Sequence, residues 1–265
     1  MRFSIKFIVL SMVSLSCLTS AFGQVNFLGK PGLVRIPKPS FIDKRDNIQF
    51  QVAYLPVEYA VNNWMGRKSN QFFYSVQLRP LSWVAVSFVL TRTIDVPRIG
   101  IGDRHLDLQF FILNQKKYGI NLSAILSPPL AASFIDHNSI FISRTMNINN
   151  SISIEPVLGY GLEVNFREPP KNLNLDNMGY QWIDKSVLGN YYLSGFFGGL
   201  QVNLEDKVFL AAEYDTQYIN FGASAIIFKK IGLQVNYFDL KALSGQISYR
   251  VYLDKSLKRN MKAYE

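Results

Sequence analysis

From residue 48 onward the chain alternates apolar and polar positions in short runs separated by turn residues. The longest run is Ser151 to Phe166, SISIEPVLGYGLEVNF. One parity reads Ile152, Ile154, Pro156, Leu158, Tyr160, Leu162, Val164, Phe166, and the other reads Ser151, Ser153, Glu155, Val157, Gly159, Gly161, Glu163, Asn165. Successive strand residues face opposite sides. One face is therefore wholly apolar, while the other carries two carboxylates, small polar groups and two glycines. A half-buried soluble strand is usually about 5–6 residues long, whereas a tilted strand crosses a bilayer in roughly 9–11. This run alone fits either reading, so the rest of the chain decides.

Similar runs occur at 48–54, 71–79, 82–93, 104–113, 119–126 and 138–146, and after the long run at 194–204, 207–216, 218–228, 231–239 and 245–253. No segment of any length shows the 3.6-residue period of an amphipathic helix. The connections alternate in length: 80–81, 114–118, 147–150, 205–206 and 229–230 are short, while 61–70, 95–103, 127–137 and 167–193 are long. Short turns at one end and long loops at the other are the pattern of an outer-membrane barrel, and a soluble sandwich has no reason to follow it. The pattern weakens at the last connections, which are short at both ends. The spacing predicts an all-β, antiparallel transmembrane β-barrel of about twelve strands, between roughly 10 and 14, over residues 48–253.

Composition agrees with a membrane strand protein. Charged residues are 18% of the 265-residue chain, against about 25% in soluble domains. Residues 1–23 read as a secretory signal peptide, with Arg2 and Lys6 before an apolar core and Ala21-Phe22-Gly23 as a cleavage site. The lone cysteine, Cys17, falls in that leader, where it is either discarded or lipidated. Residues 24–47 hold Gly29, Pro31, Gly32, Pro37 and Pro39 without alternation, and read as an irregular segment with room to lie partly inside a larger structure. Residues 254–265 form a basic tail. The formal net charge of +9 admits an anionic partner, but a secreted chain with dispersed cations is not expected to bind nucleic acid. The expected surroundings are outer-membrane lipid in a Gram-negative cell.

The non-lipid parity predicts a polar network in the lumen, made of Asp107, Glu155, Glu163, Glu213 and Arg250. A barrel interior is wet or holds paired networks, and in a hydrated lumen Glu155→Gln is expected to be well tolerated. The histidines are His105 and His137. Either can be drawn into a serine triad on a surface lipid hydrolase, but ordinary polar roles are favoured, and no G-x-S-x-G, H-E-x-x-H or phosphate loop is present. No catalytic residue, cofactor or metal is expected; one Cys and two His make a zinc site improbable, and the spacing of Asn172 to Asp176 is not that of an EF-hand. The loop 167–193 carries Tyr180, Trp182, Tyr191 and Tyr192 beside Asn172, Asn174, Asp176, Asn177 and Asp184. That mixture suits polysaccharide contact, and it equally suits an aromatic belt at the membrane interface.

Three segments carry a family resemblance: Gly29 to Pro37, GKPGLVRIP; Asp103 to Phe110, DRHLDLQF; and Ala212 to Asp215, AEYD. Together they resemble the YjbH-like family of exopolysaccharide-biosynthesis outer-membrane proteins. The resemblance implies a non-catalytic barrel that assists export or assembly of an exopolysaccharide or capsule, with polysaccharide and other export-machinery proteins as partners. A generic small porin or structural barrel is the alternative, and a surface lipid hydrolase a third.

Overall fold

The computed structural model describes residues 24–39, 47–60, 68–94, 102–129, 133–169, 179–189, 192–228 and 230–252. In chain order the strands are β1 (Asn47–Leu55), β2 (Gln71–Leu81), β3 (Val84–Thr93), β4 (Arg104–Gln115), β5 (Ile120–Leu126), β6 (Ser139–Arg144), β7 (Met146–Asn147), β8 (Ile152–Gly161), β9 (Val164–Arg167), β10 (Gln181–Asp184), β11 (Gly195–Leu204), β12 (Val208–Tyr214), β13 (Ile219–Ile227), β14 (Ile231–Phe238) and β15 (Ala242–Tyr252). Twelve of them close a barrel: β1 to β6, β8 and β11 to β15, each antiparallel to its neighbour, with β8 paired to β11 and β15 back to β1. The expected fold class and strand number are therefore correct.

The alternation explains why the sheet closes with this polarity. Outward positions are large and apolar: Phe50, Leu78, Phe88, Leu158, Leu200, Leu210, Val235 and Ile247 are all exposed. No soluble surface carries such a band, which is the lipid face of a membrane barrel. Many inward positions are small or polar, including Gln49, Gln51, Ser75, Gln77, Ser87, Gln201, Gln234 and Gln246, all buried.

Two irregularities trace to proline. The β2–β3 register shifts between Leu78 and Leu81, where Pro80 has no N–H for the ladder. The β6–β8 ladder lapses after Ser143, where Pro156 stands across from Arg144 without an N–H to offer, and resumes in the same register as the two residues of β7.

The run 151–166 is not one strand. β8 ends at Gly161, where its partners also end, at Ser139 on β6 and Gly195 on β11. With no neighbour to pair against, the chain leaves the wall, and β9 pairs with β10 in a separate hairpin. β9 is thus the end of the alternating run, and its partner β10 lies inside the connection 167–193, expected to be a loop.

The lumen is filled by the chain itself. Every residue from Gln24 to Pro39 is buried, and the segment folds on itself through the isolated bridges Val25–Pro31 and Gly32–Pro37 and turn hydrogen bonds such as Asn26 N to the Lys30 carbonyl and Phe27 N to the Val34 carbonyl. Gln24 and Val25 lie beside Ile226, Lys230 and Arg250, next to the short turns, and residue 47 starts β1 at that same end. Backbone groups not satisfied within the segment need partners from elsewhere, and wall glutamines supply some of them. Gln49 Nε2 donates to the Gly29 carbonyl (3.1 Å), Gln51 Nε2 to Asn26 (2.8 Å) and Gln234 Nε2 to Leu33 (3.1 Å). Gly29 has φ +80° and lies against Ser75 so closely that a Cβ would collide with its side chain. At the tip, Leu33 and Val34 rest on wall glycines: a Cβ at Gly199 would lie 2.6 Å from Leu33 Cδ2, and one at Gly222 would lie 2.7 Å from Val34 Cγ2. Phe27, Leu28, Leu33, Val34 and Ile36 pack with inward Phe73, Val89, Phe141, Phe197 and Phe238 as an apolar cluster.

Candidate functional site: the plugged lumen

Three cations of the inner segment each meet one wall carboxylate. Lys30 Nζ pairs with Asp107 of β4, Arg35 Nη1 lies 2.7 Å from Oδ2 of Asp215 just past β12, and Lys38 Nζ lies 2.6 Å from Oε2 of Glu155 on β8. All six side chains are withdrawn from solvent. Removing one partner of such a pair strands a buried charge, at a cost of about 3–5 kcal/mol. Asp107 and Glu155 sit there because both are on the inward parity of their strands. Glu155 Oε1 also accepts from Ser143 Oγ at 2.9 Å.

Glu213 binds the tip through the backbone. Its carboxylate accepts the consecutive N–H groups of Val34 (2.8 Å), Arg35 (2.6 Å) and Ile36 (3.2 Å), and the Asn220 amide at 3.2 Å. Three successive amides aimed at one anion form a nest. The Arg35 guanidinium lies between rings, 5.5 Å from the Phe27 centroid and 5.6 Å from that of Tyr192. Tyr192 Oη donates to the Arg35 carbonyl at 2.7 Å. Above it Lys185, its pKa lowered by burial to about 8, donates to the carbonyls of Tyr192 and Leu193, both at 3.1 Å.

A second cluster surrounds Asp107. His105 bridges two carboxylates, with Nε2 2.5 Å from Asp107 Oδ2 and Nδ1 2.7 Å from Asp136 Oδ1. His137 Nδ1 is 3.1 Å from the Ile135 carbonyl, which only accepts, so Nδ1 carries the proton and Nε2 presents a lone pair. Burial holds His137 well below the usual histidine range, and pushes the nearby Asp103 carboxyl up to about 6. Ser127 Oγ donates to Asp107 Oδ1 at 2.5 Å and meets the backbone of His137. Its contacts are with a carboxylate and backbone rather than an imidazole nitrogen, so this cluster does not present the serine–histidine pair that a hydrolase triad requires. Ligand atoms of His105, Asp107 and His137 lie within 4.8 Å of one another, a donor set of the kind that holds transition metals. The cation beside Asp107 in this structure is the Lys30 ammonium.

Of the expected lumen network, Asp107, Glu155, Glu213 and Arg250 face inward and are buried. Arg250 donates to Gln49 Oε1 through Nε (3.2 Å) and Nη2 (2.6 Å). Glu163 is a correction: it is exposed at the break between β8 and β9 rather than buried in the lumen, because the strand assumed to carry it inward has already ended. Tyr180 and Trp182 stand 54% and 56% exposed on the β9–β10 hairpin, with their rings 6.0 Å and 5.3 Å from Phe166. Tyr192 is the second correction: it is buried against the inner segment, out of reach of a polymer outside. Tyr191, Asn172, Asn174, Asp176 and Asn177 lie outside the described residues, as do the leader with Cys17 and the tail 254–265.

Sequence reading missed Lys30, Arg35, Lys38 and Asp215 as site residues. A signal was present: three cations in an aperiodic Gly/Pro segment, ahead of strands with carboxylates on the inward parity. The three segments that carried the family resemblance also meet here. Lys30 of the first pairs with Asp107 of the second, and Arg35 of the first with Asp215 of the third.

No family model and no curated protein sequence matches the chain. Among solved structures it is similar to the KdgM porin, at TM-score 0.45 and 8% identity over 78% of this chain and 99% of that one. It is also similar to the outer membrane protein Omp33 of Acinetobacter baumannii, at TM-score 0.37 and 9% identity over 79% and 98%. A third similarity is to outer membrane phospholipase A of Escherichia coli, at TM-score 0.37 and 13% identity over 82% and 98%. The closed sheet and its apolar exterior carry the assignment independently of these likenesses: the chain is a twelve-stranded β-barrel of outer-membrane type, with residues 24–39 packed inside its lumen.

Proposed function

We propose that the protein is a porin-like outer-membrane channel closed at rest by its own residues 24–39. The observation that carries this reading is the match of three inner-segment cations to three wall carboxylates. A barrel needed only as a scaffold is filled at least as stably by apolar side chains of similar volume. Ion pairs instead hold the segment in one register, and they leave two hydratable surfaces when it withdraws: a wall of glutamines and carboxylates, and a segment bearing Lys and Arg. In planar bilayers the wild type is expected to stay mostly silent. The full-length triple variant Lys30→Gln, Arg35→Gln, Lys38→Gln strands three carboxylates and is expected to conduct steadily. A folded, heat-modifiable triple variant that remains silent rules the channel out in favour of a structural barrel.

A second reading follows the family resemblance: a non-catalytic accessory in exopolysaccharide or capsule export. It is favoured by the exposed cluster of Phe166, Tyr180 and Trp182, since aromatic faces carry much of the energy of a contact. Tyr180→Ala and Trp182→Ala are expected to lower cell-bound polysaccharide per folded barrel. Unchanged polysaccharide removes the cluster from the mechanism, and a matching fall in folded protein identifies it as an interfacial belt.

A further inference from the structure

We infer that the channel, once open, selects cations. This rests on the reading of residues 24–39 as a gate. While they are in place, Lys30, Arg35 and Lys38 neutralise Asp107, Asp215 and Glu155, and the backbone nest neutralises Glu213. The gate therefore carries away all the positive charge that faces these groups from the segment, and leaves four carboxylates on the wall. Against them, among the described residues, the wall sets two guanidiniums, and the buried Lys185 ammonium stands above the tip, within the field of a further buried carboxylate, Asp136. Arg250 lies two residues from the end of β15, and Arg79, stacked 4.2 Å over the Phe111 ring, lies near the end of β2. Both are at the short-turn mouth.

The carboxylates sit on an arc of the wall formed by β4, β8 and the end of β12. The facing arc, from β14 through β15 to β2, offers mainly neutral amides such as Gln234, Gln246, Gln49 and Gln77. Rings or clusters of carboxylates in a narrow, low-dielectric passage raise the local cation concentration and exclude anions. The substrate class is accordingly small cations and neutral solutes. A polyanionic sugar polymer would be repelled from the lumen, so polysaccharide contact, where it occurs, belongs to the hairpin outside.

The test is the reversal potential across a KCl gradient, measured on two opened full-length proteins. One is the triple variant above. The other is Gly222→Trp, which displaces the tip at Val34 without altering any charge. Both are expected to show a several-fold preference for K⁺ over Cl⁻. Adding Asp107→Asn and Glu155→Gln to either should move the reversal potential towards zero. Steady conductance with no preference, with a preference for Cl⁻, or with a preference insensitive to those two substitutions overturns the inference while leaving the gate standing. Silence from both folded variants overturns the gate, and the inference with it.

Discussion

Glu213→Leu is expected to free residues 24–39 from a barrel that otherwise stays folded. The leucine fills similar space but accepts nothing, so the N–H groups of Val34, Arg35 and Ile36 lose the oxygens they share. A buried donor left unpaired costs about 1–3 kcal/mol. Even with water replacing part of the set, about 3 kcal/mol against the closed state raises the open population roughly 100-fold. Glu213→Gln keeps one acceptor oxygen and should fall between. Trypsin reads the outcome at a single bond of the segment, because Lys30 and Lys38 each precede proline and only Arg35–Ile36 is cleavable. In folded wild type that bond is buried and should resist cleavage; in the leucine variant it should be cut rapidly, with conductance appearing in parallel. Wild-type protection of a folded leucine variant would show that the nest does not hold the tip.

Leu158→Arg and Glu155→Gln, three positions apart on β8, should both destabilise the barrel, for opposite reasons. Leu158 is 58% exposed on the outer face, and an arginine near the bilayer midplane costs about 2–4 kcal/mol. Glu155→Gln acts from inside. The lumen around it is filled rather than hydrated, and the substitution leaves the Lys38 ammonium buried without its carboxylate. The cost should approach the lower end of the roughly 3–5 kcal/mol for a broken buried pair, since glutamine still offers an oxygen. The tolerance expected from a wet interior is therefore corrected. Adding Lys38→Gln distinguishes the two mechanisms. It should restore most of the stability lost in Glu155→Gln and none of that lost in Leu158→Arg, as urea unfolding in lipid would measure. Rescue of neither would mean that Lys38 and Glu155 do not interact in the folded protein.

The twelve wall strands and the direction each face points were legible in the sequence because alternation is a local property. A residue two positions on faces the same side whatever the rest of the chain does, and sequential antiparallel strands pair with their neighbours. Asp107, Glu155, Glu213 and Arg250 could be turned inward from parity alone. Where strands stop is a different matter. The run from Ser151 to Phe166 keeps its parity throughout, yet the barrel wall ends at Gly161 because β6 and β11 end there, and Glu163 was misplaced for that reason. Tyr180 and Tyr192 lie in one long connection with similar composition, but one ends exposed on a hairpin and the other on the inner segment. Residues 24–39 show no period, so nothing local tells such a segment whether it lies in water or in a lumen. That was decided only by partners far along the chain: Lys30 at Asp107, Lys38 at Glu155, Arg35 at Asp215 and the tip amides at Glu213. Those partners become neighbours once the sheet has closed, because closure is what brings inward positions of distant strands around one volume and leaves that volume to be filled.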